Sequence, residues 1–105
     1  MEKLKDIMKT KGICLLEFGV NSRAFNREEI QDILEILREE GIAIKGGDVW
    51  KKNDNNIILT YDNWYCERNQ NETYSDFVNR SIEYANIYIN NYNIGKGDLY
   101  FELVI

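Results

Sequence analysis

Apolar positions in this chain follow two rhythms, and each rhythm predicts a kind of element. Phe77, Val78, Ser81, Ile82, Ala85, Tyr88, Ile89 and Tyr92 recur at three- and four-residue steps, which puts them on one face of a helix over about Tyr74–Tyr92. Thr73 or Ser75 supplies its N-cap, and Ser81, inside the apolar stripe, is expected to bond back to its own helix. Ile30, Ile33, Leu34 and Leu37, widened by Ile36, make a second stripe. Asn26 with Glu29 three residues on forms a capping box at its start, Phe25 is placed to staple onto Ile30, and Gly41 stops it. Met1–Lys11 predicts a short helix with Leu4, Ile7 and Met8 inward and Gly12 as its end.

Two-residue alternation marks strands. Leu99, Phe101, Leu103 and Ile105 face one way and Tyr100, Glu102 and Val104 the other, the pattern of a half-buried strand. Ile42–Lys52 predicts a strand in which Gly46-Gly47 breaks the alternation, by a bulge or a close backbone approach. Asn53-Asp54-Asn55-Asn56 is a turn, and Ile57–Tyr61, extendable to Cys66, is the returning strand of a hairpin. Ile13–Phe18 is apolar but too short to separate strand from helical turn. Glu67–Glu72 and Asn93–Asp98, the latter with Gly95-Lys96-Gly97, are loops. The expected fold is α+β: one domain over 1–105, with an antiparallel or mixed sheet of three to four strands and amphipathic helices packed on one face. The last strand pairs on either side of the hairpin.

Composition narrows the chemistry. The 105 residues carry 13 basic and 18 acidic side chains, a net charge of −5 and no histidine. An acidic chain is a poor match for nucleic acid, which needs clustered Lys and Arg, and suits a basic partner. Without histidine there is no Ser-His-Asp triad, no Cys-His pair and no His-ligated zinc. Cys14 and Cys66 lack a CxxC context and read as buried small hydrophobes. No stretch has the length of a membrane span and the N-terminus lacks a signal peptide's apolar run, so the expectation is a cytoplasmic protein with reduced thiols and no cofactor. Abundant Asn, Ile, Lys and Tyr fit AT-rich coding DNA and a low-GC bacterial source.

Two clusters attract attention. Gly46-Gly47-Asp48-Val49-Trp50 lacks the spacing of a P-loop or dinucleotide fingerprint. It is either a bulged strand with a packed Trp50, or a bulge aiming Asp48 or Trp50 at a partner. Tyr61-Asp62-Asn63-Trp64-Tyr65 is rich in the residue types that dominate interface energetics, or else Tyr61 or Trp64 completes the core. If Tyr61 and Tyr65 face in, Asp62 and Trp64 face out. With Asp48, Asp54, Asp62, Glu67 and Glu72 on the hairpin and the loop after it, these residues compose an acidic, aromatic surface that would steer a basic partner. As catalytic carboxylates they are unconvincing, because nothing marks one for a raised pKa and no metal-ligand spacing appears. Arg80 on the long helix reads as structural.

These clusters, followed by Arg80-Ser81, Ala85 and Tyr88-Ile89 on a helix, resemble the immunity protein 40 family of bacterial polymorphic toxin systems. The similarity runs from about Phe18 to Val104, with Trp50 where the family pattern has Tyr. The resemblance implies a non-enzymatic antidote that occludes a cognate toxin domain, expected to be basic, with a nuclease as one candidate. The partner-binding residues on this reading are Asp48, Trp50, Asp54, Asp62, Trp64, Tyr65 and Glu67. The alternative is a small-ligand module whose pocket is lined by Tyr61, Trp64, Tyr88 and Tyr92.

Overall fold

A computed structural model describes residues 2–93 and 98–105. In chain order the elements are α1 (Glu2–Thr10), β1 (Ile13–Cys14), a 3-10 turn (Leu16–Phe18), β2 (Arg23–Phe25), α2 (Arg27–Glu40), β3 (Gly46–Asn53), β4 (Asn56–Tyr65), α3 (Tyr74–Asn91) and β5 (Asp98–Val104). The sheet has five strands in the order β1-β2-β5-β3-β4, antiparallel throughout. The expected count of three to four was short because β1 and β2 are two and three residues long, too brief for an alternation to show. The C-terminal strand pairs with β3 and β2, at the centre of the sheet. The Gly95-Lys96-Gly97 loop signal lies outside the described residues.

Helix boundaries follow from local chemistry. The Asn26 side chain accepts from Glu29 N–H, and the Glu29 carboxylate accepts from Asn26 N–H, closing the capping box. The same carboxylate takes the N–H of Gly12 at 3.0 Å, so one side chain ties the end of α1 to the start of α2. Gly41, at φ 68°, ends α2, a conformation that costs glycine little. Thr73 caps α3 through Asp76 N–H. Ser81 is fully buried; it donates to Val78 C=O and accepts from Ile44 N–H at 2.9 Å, satisfying a main-chain donor just before β3.

The two sheet faces bury different things. Helices cover one face, where Phe25, Ile30, Ile33, Leu37, Ile44, Val49, Trp64, Ile82, Ile89 and Phe101 form the main core. The helix-free face carries a smaller cluster of Leu15, Ala24 and Trp50, with Phe18 of the 3-10 turn tilted over Trp50 at 6.1 Å between ring centres. Trp50 Nε1–H donates to Glu102 at 3.0 Å, so two buried polar groups satisfy each other. Cys66 is buried as expected, but Cys14 is exposed, since β1 is an edge strand with little packed beyond it.

Gly46-Gly47 answers to close approach. A Cβ at Gly47 would lie 2.2 Å from Trp64 Cη2 and 2.4 Å from Glu102 O. The irregularity in pairing sits in β4 instead. Asp48 faces Asn63 and Trp50 faces Leu59, which leaves Thr60-Tyr61-Asp62 opposite Val49. Thr60 Oγ1 donates to Val49 O and accepts from Asp62 N–H, stitching the bulge, and Tyr61 takes φ 70° within it. Replacing Gly47 with Ala should overpack this junction and lower the urea midpoint by an amount equivalent to about 3 kcal/mol. A Gly47→Ala protein as stable as the parent would mean that Trp64 does not lie on this backbone.

Candidate partner-binding site

Register places the candidate side chains on one face or the other. Trp50 belongs to the helix-free cluster, and Asp48, two residues before it, shares that face. There Asp48 stands between Asn63 of β4 and Glu102 of β5. One step along the same face, Gly46 stands between Tyr65 and Val104, which are 76% and 45% exposed. A Cβ on Gly46, at φ 156°, would lie 2.4 Å from Trp64 O, so glycine here lets the β4 backbone approach closely. A cavity of about 530 Å³ opens at this end of the sheet, and its lining includes Gly46, Asp48, Asn63, Tyr65, Glu67 and Val104, extending to Phe77 of α3.

Asp48 is half-buried in this cavity, and burial raises its carboxyl pKa above the ordinary value. Among the described residues it has neither a hydrogen-bond nor an ion-pair partner. Its cross-strand neighbour Glu102 is a second carboxylate, engaged at one oxygen by Trp50. Like charges opposite each other on neighbouring strands disfavour the folded state.

The far wall is the loop after β4, and Arg80 holds it. Its guanidinium bonds both Glu72 carboxylate oxygens, at 2.7 and 2.9 Å, Glu67 C=O at 2.5 Å and Cys66 Sγ at 3.3 Å. Asn69 N–H donates to Glu72 and Arg68 Nε–H to Glu72 C=O. The Arg80 bond, then the Asn69 bond, hold the Glu72 carboxyl at about 2. Reading Arg80 as structural therefore understates its place: it shapes the loop that supplies Cys66, Glu67 and Arg68 to the cavity. An arginine eight residues after a glutamate across a helix start was the available signal.

The expected contact residues separate. Asp48, Tyr65 and Glu67 converge on the cavity. Trp64 lines it but is 3% exposed, and Trp50 is 4% exposed in its own cluster; neither presents a free ring, a correction to both. Tyr61 and Tyr65 face solvent while Trp64 faces the core; the alternation survives the bulge, since Leu59 and Asn63 stand opposite Trp50 and Asp48 on one face. Asp62, half-buried, accepts from Tyr92 Oη–H at 2.5 Å. Asp54, at φ 53°, is exposed at the hairpin tip, roughly 20 Å along the strand from Asp48. The aromatic pocket expected from Tyr61, Trp64, Tyr88 and Tyr92 is instead packed ring on ring, with centres 4.7 Å apart for Trp64–Tyr88 and 5.9 Å for Tyr88–Tyr92. Trp64 Nε1 is buried there without an acceptor among the described residues.

Charge is also distributed differently from the expectation. Residues 45–72 contain five acidic and four basic side chains, whereas α2 contains six acidic and two basic ones. Glu28, Asp32, Glu35 and Glu39 form an exposed stripe along that helix, at steps that share a face. Most of the net negative charge thus lies on α2, and the acids of the hairpin and its following loop, nearly balanced by bases, make no acidic field.

Fold and site together define a small α+β domain with helices on one sheet face and, at one end of the sheet, a cavity containing a carboxylate that is unpartnered among the described residues. A family model described as Immunity protein 40 matches residues 14–105. The chain belongs to that family. No curated protein and no solved structure matches it.

Two titrations follow. Glu72 has a folded pKa near 2 against an ordinary 4.5, so its contribution to stability is complete above about 4.5 and is lost as pH falls through 2. Glu72→Gln should remove that part of the acid dependence in urea melts between pH 5 and 2, measured at roughly constant ionic strength; an unchanged pH profile would exclude the pairing. Asp48 has the opposite sign, because its folded pKa is raised. Its ionised form burdens the fold at neutral pH, so Asp48→Asn should melt at or above the parent temperature. A clear loss of stability would show that Asp48 has a structural partner.

Proposed function

We propose that this chain is a cytoplasmic bacterial antidote that binds the toxic domain of a cognate toxin and neutralises it by one-to-one occlusion, without turnover. The observation that carries this reading is the family match over residues 14–105. The physical character of the chain supports it: a net charge of −5 favours capture of a basic partner, and an acidic stripe on α2 extends that attraction beyond contact distance. A nuclease, whose substrate-binding cleft must be basic, is the partner type that this charge suits best.

A second reading, the small-ligand module, draws on the cavity, whose volume of about 530 Å³ falls within the roughly 300–1,000 Å³ typical of ligand sites. Thermal stabilisation by a metabolite mixture would favour it.

The deciding experiment co-expresses this chain with the toxin domain encoded beside its gene. Antidote action should restore growth and yield a one-to-one complex whose association slows as salt is raised. If growth stays arrested and no complex forms with that domain, the antidote reading fails.

A further inference from the structure

The cavity beside Gly46 combines three features that neither the fold nor the family match explains. It opens at the end of the sheet where Gly46 stands between Tyr65 and Val104. It contains the Asp48 carboxylate, half-buried and unpartnered among the described residues. One wall is the Tyr65 side chain, 76% exposed to solvent and so open to a stacking partner.

We propose that this cavity is the seat of a single arginine side chain from the toxin domain, with Asp48 as its counter-ion and the Tyr65 ring as the surface on which the guanidinium stacks. The inference rests on the antidote reading and names its central contact. Charge complementarity selects the occupant. An incoming cation would neutralise Asp48 and relieve its unfavourable position opposite Glu102, whereas an anion would add a third negative charge. The basic residues of the lining leave this role open. Arg68 is turned to Glu72 C=O and the Tyr74 ring, and Lys45 is exposed to solvent, its ammonium unbonded to Asp48 among the described residues. Arginine fits better than lysine because its flat, weakly hydrated guanidinium both forks onto a carboxylate and stacks on an aromatic face. The apolar walls, Val104 and Phe77 among them, suit the methylene stem of such a side chain.

Partial burial raises the Asp48 carboxyl in the free protein, so its ionised form adds nothing to the stability of the fold. Asp48→Asn should therefore separate affinity from stability, weakening the complex while leaving the fold intact.

The test has two arms. In the first, N-acetyl-arginine-methylamide is titrated into the free protein and amide resonances are followed by NMR. Shifts should centre on residues 46–48 and 63–65, be absent with N-acetyl-glutamate-methylamide, and disappear in Asp48→Asn. Equal shifts with the glutamate probe, or shifts unchanged in Asp48→Asn, would overturn the proposal. In the second arm, affinity for the toxin domain is measured. Asp48→Asn and Tyr65→Ala should each lose at least about tenfold, while Asp54→Asn at the hairpin tip should match the parent. A complex as tight with Asp48→Asn as with the parent overturns the arginine seat and leaves the antidote reading standing. If no complex forms even with the parent, the antidote reading falls, and the NMR arm alone decides whether the cavity holds a guanidinium.

Discussion

The contact between Trp64 and the bare backbone of Gly47 is the constraint on which the rest depends. Antiparallel strands pair with their side chains level, so a side chain at Gly47 would occupy the space that Trp64 needs. With glycine there, the indole lies flat enough to be buried and to stack on Tyr88, which packs against Tyr92, which meets Phe101 edge-on at 6.2 Å. That run of rings joins β4, α3 and β5. Arg27 completes the junction, donating to the main-chain carbonyls of Ile89 and Tyr92 and lying over the Phe101 ring. Gly46, the other glycine of the pair, also answers to close approach: a Cβ there would lie 2.4 Å from Trp64 O. The two-residue motif thus lets β4 lie tight against β3, and the cavity opens beside it.

The chain's aromatics, which looked alike in sequence, do different work. Trp50 and Trp64 are interior residues on opposite faces of the sheet. Tyr61 and Tyr65 are surface residues. Alternation sorts Trp64 from Tyr65, and the bulge at Thr60-Tyr61-Asp62, with two extra residues, leaves the faces of β4 unchanged. Asp62 is thereby brought to Tyr92 Oη, so the acid is spent on holding the bulge against α3. Arg80 and Glu72 act similarly one loop later, fixing the segment that closes the cavity.

Much of the fold was legible because its signals are local. The Asn26–Glu29 box, the Gly41 stop, the Thr73 cap and the stripe from Phe77 to Ile89 are each set by neighbours within one or two helical turns, and the alternation of β5 reads directly from Leu99, Phe101 and Leu103. The two shortest strands were not legible, since residues 13–14 and 23–25 are strands only by virtue of their pairing partners. The site was legible in part. Asp48, Tyr65 and Glu67 reach the cavity, and of the two core candidates Trp64 is interior and Tyr61 is not, but the bulge lay in β4 and not at the glycines. Alternation cannot reveal a bulge formed by a threonine hydroxyl. Nor could composition show that α2, rather than the hairpin, carries most of the negative charge, because the lysines at 45, 51 and 52 are offset by acids only when both are counted on the same surface.

Hydrogen exchange on the complex with the toxin domain tests the central claim most directly. If the hollow beside Gly46 is the principal contact, amide protection on binding should concentrate in residues 45–48, 63–68 and around Val104. Protection confined to the exposed face of α2, around Glu28, Asp32, Glu35 and Glu39, with the Gly46 region unchanged, would contradict it and move the interface to the acidic helix.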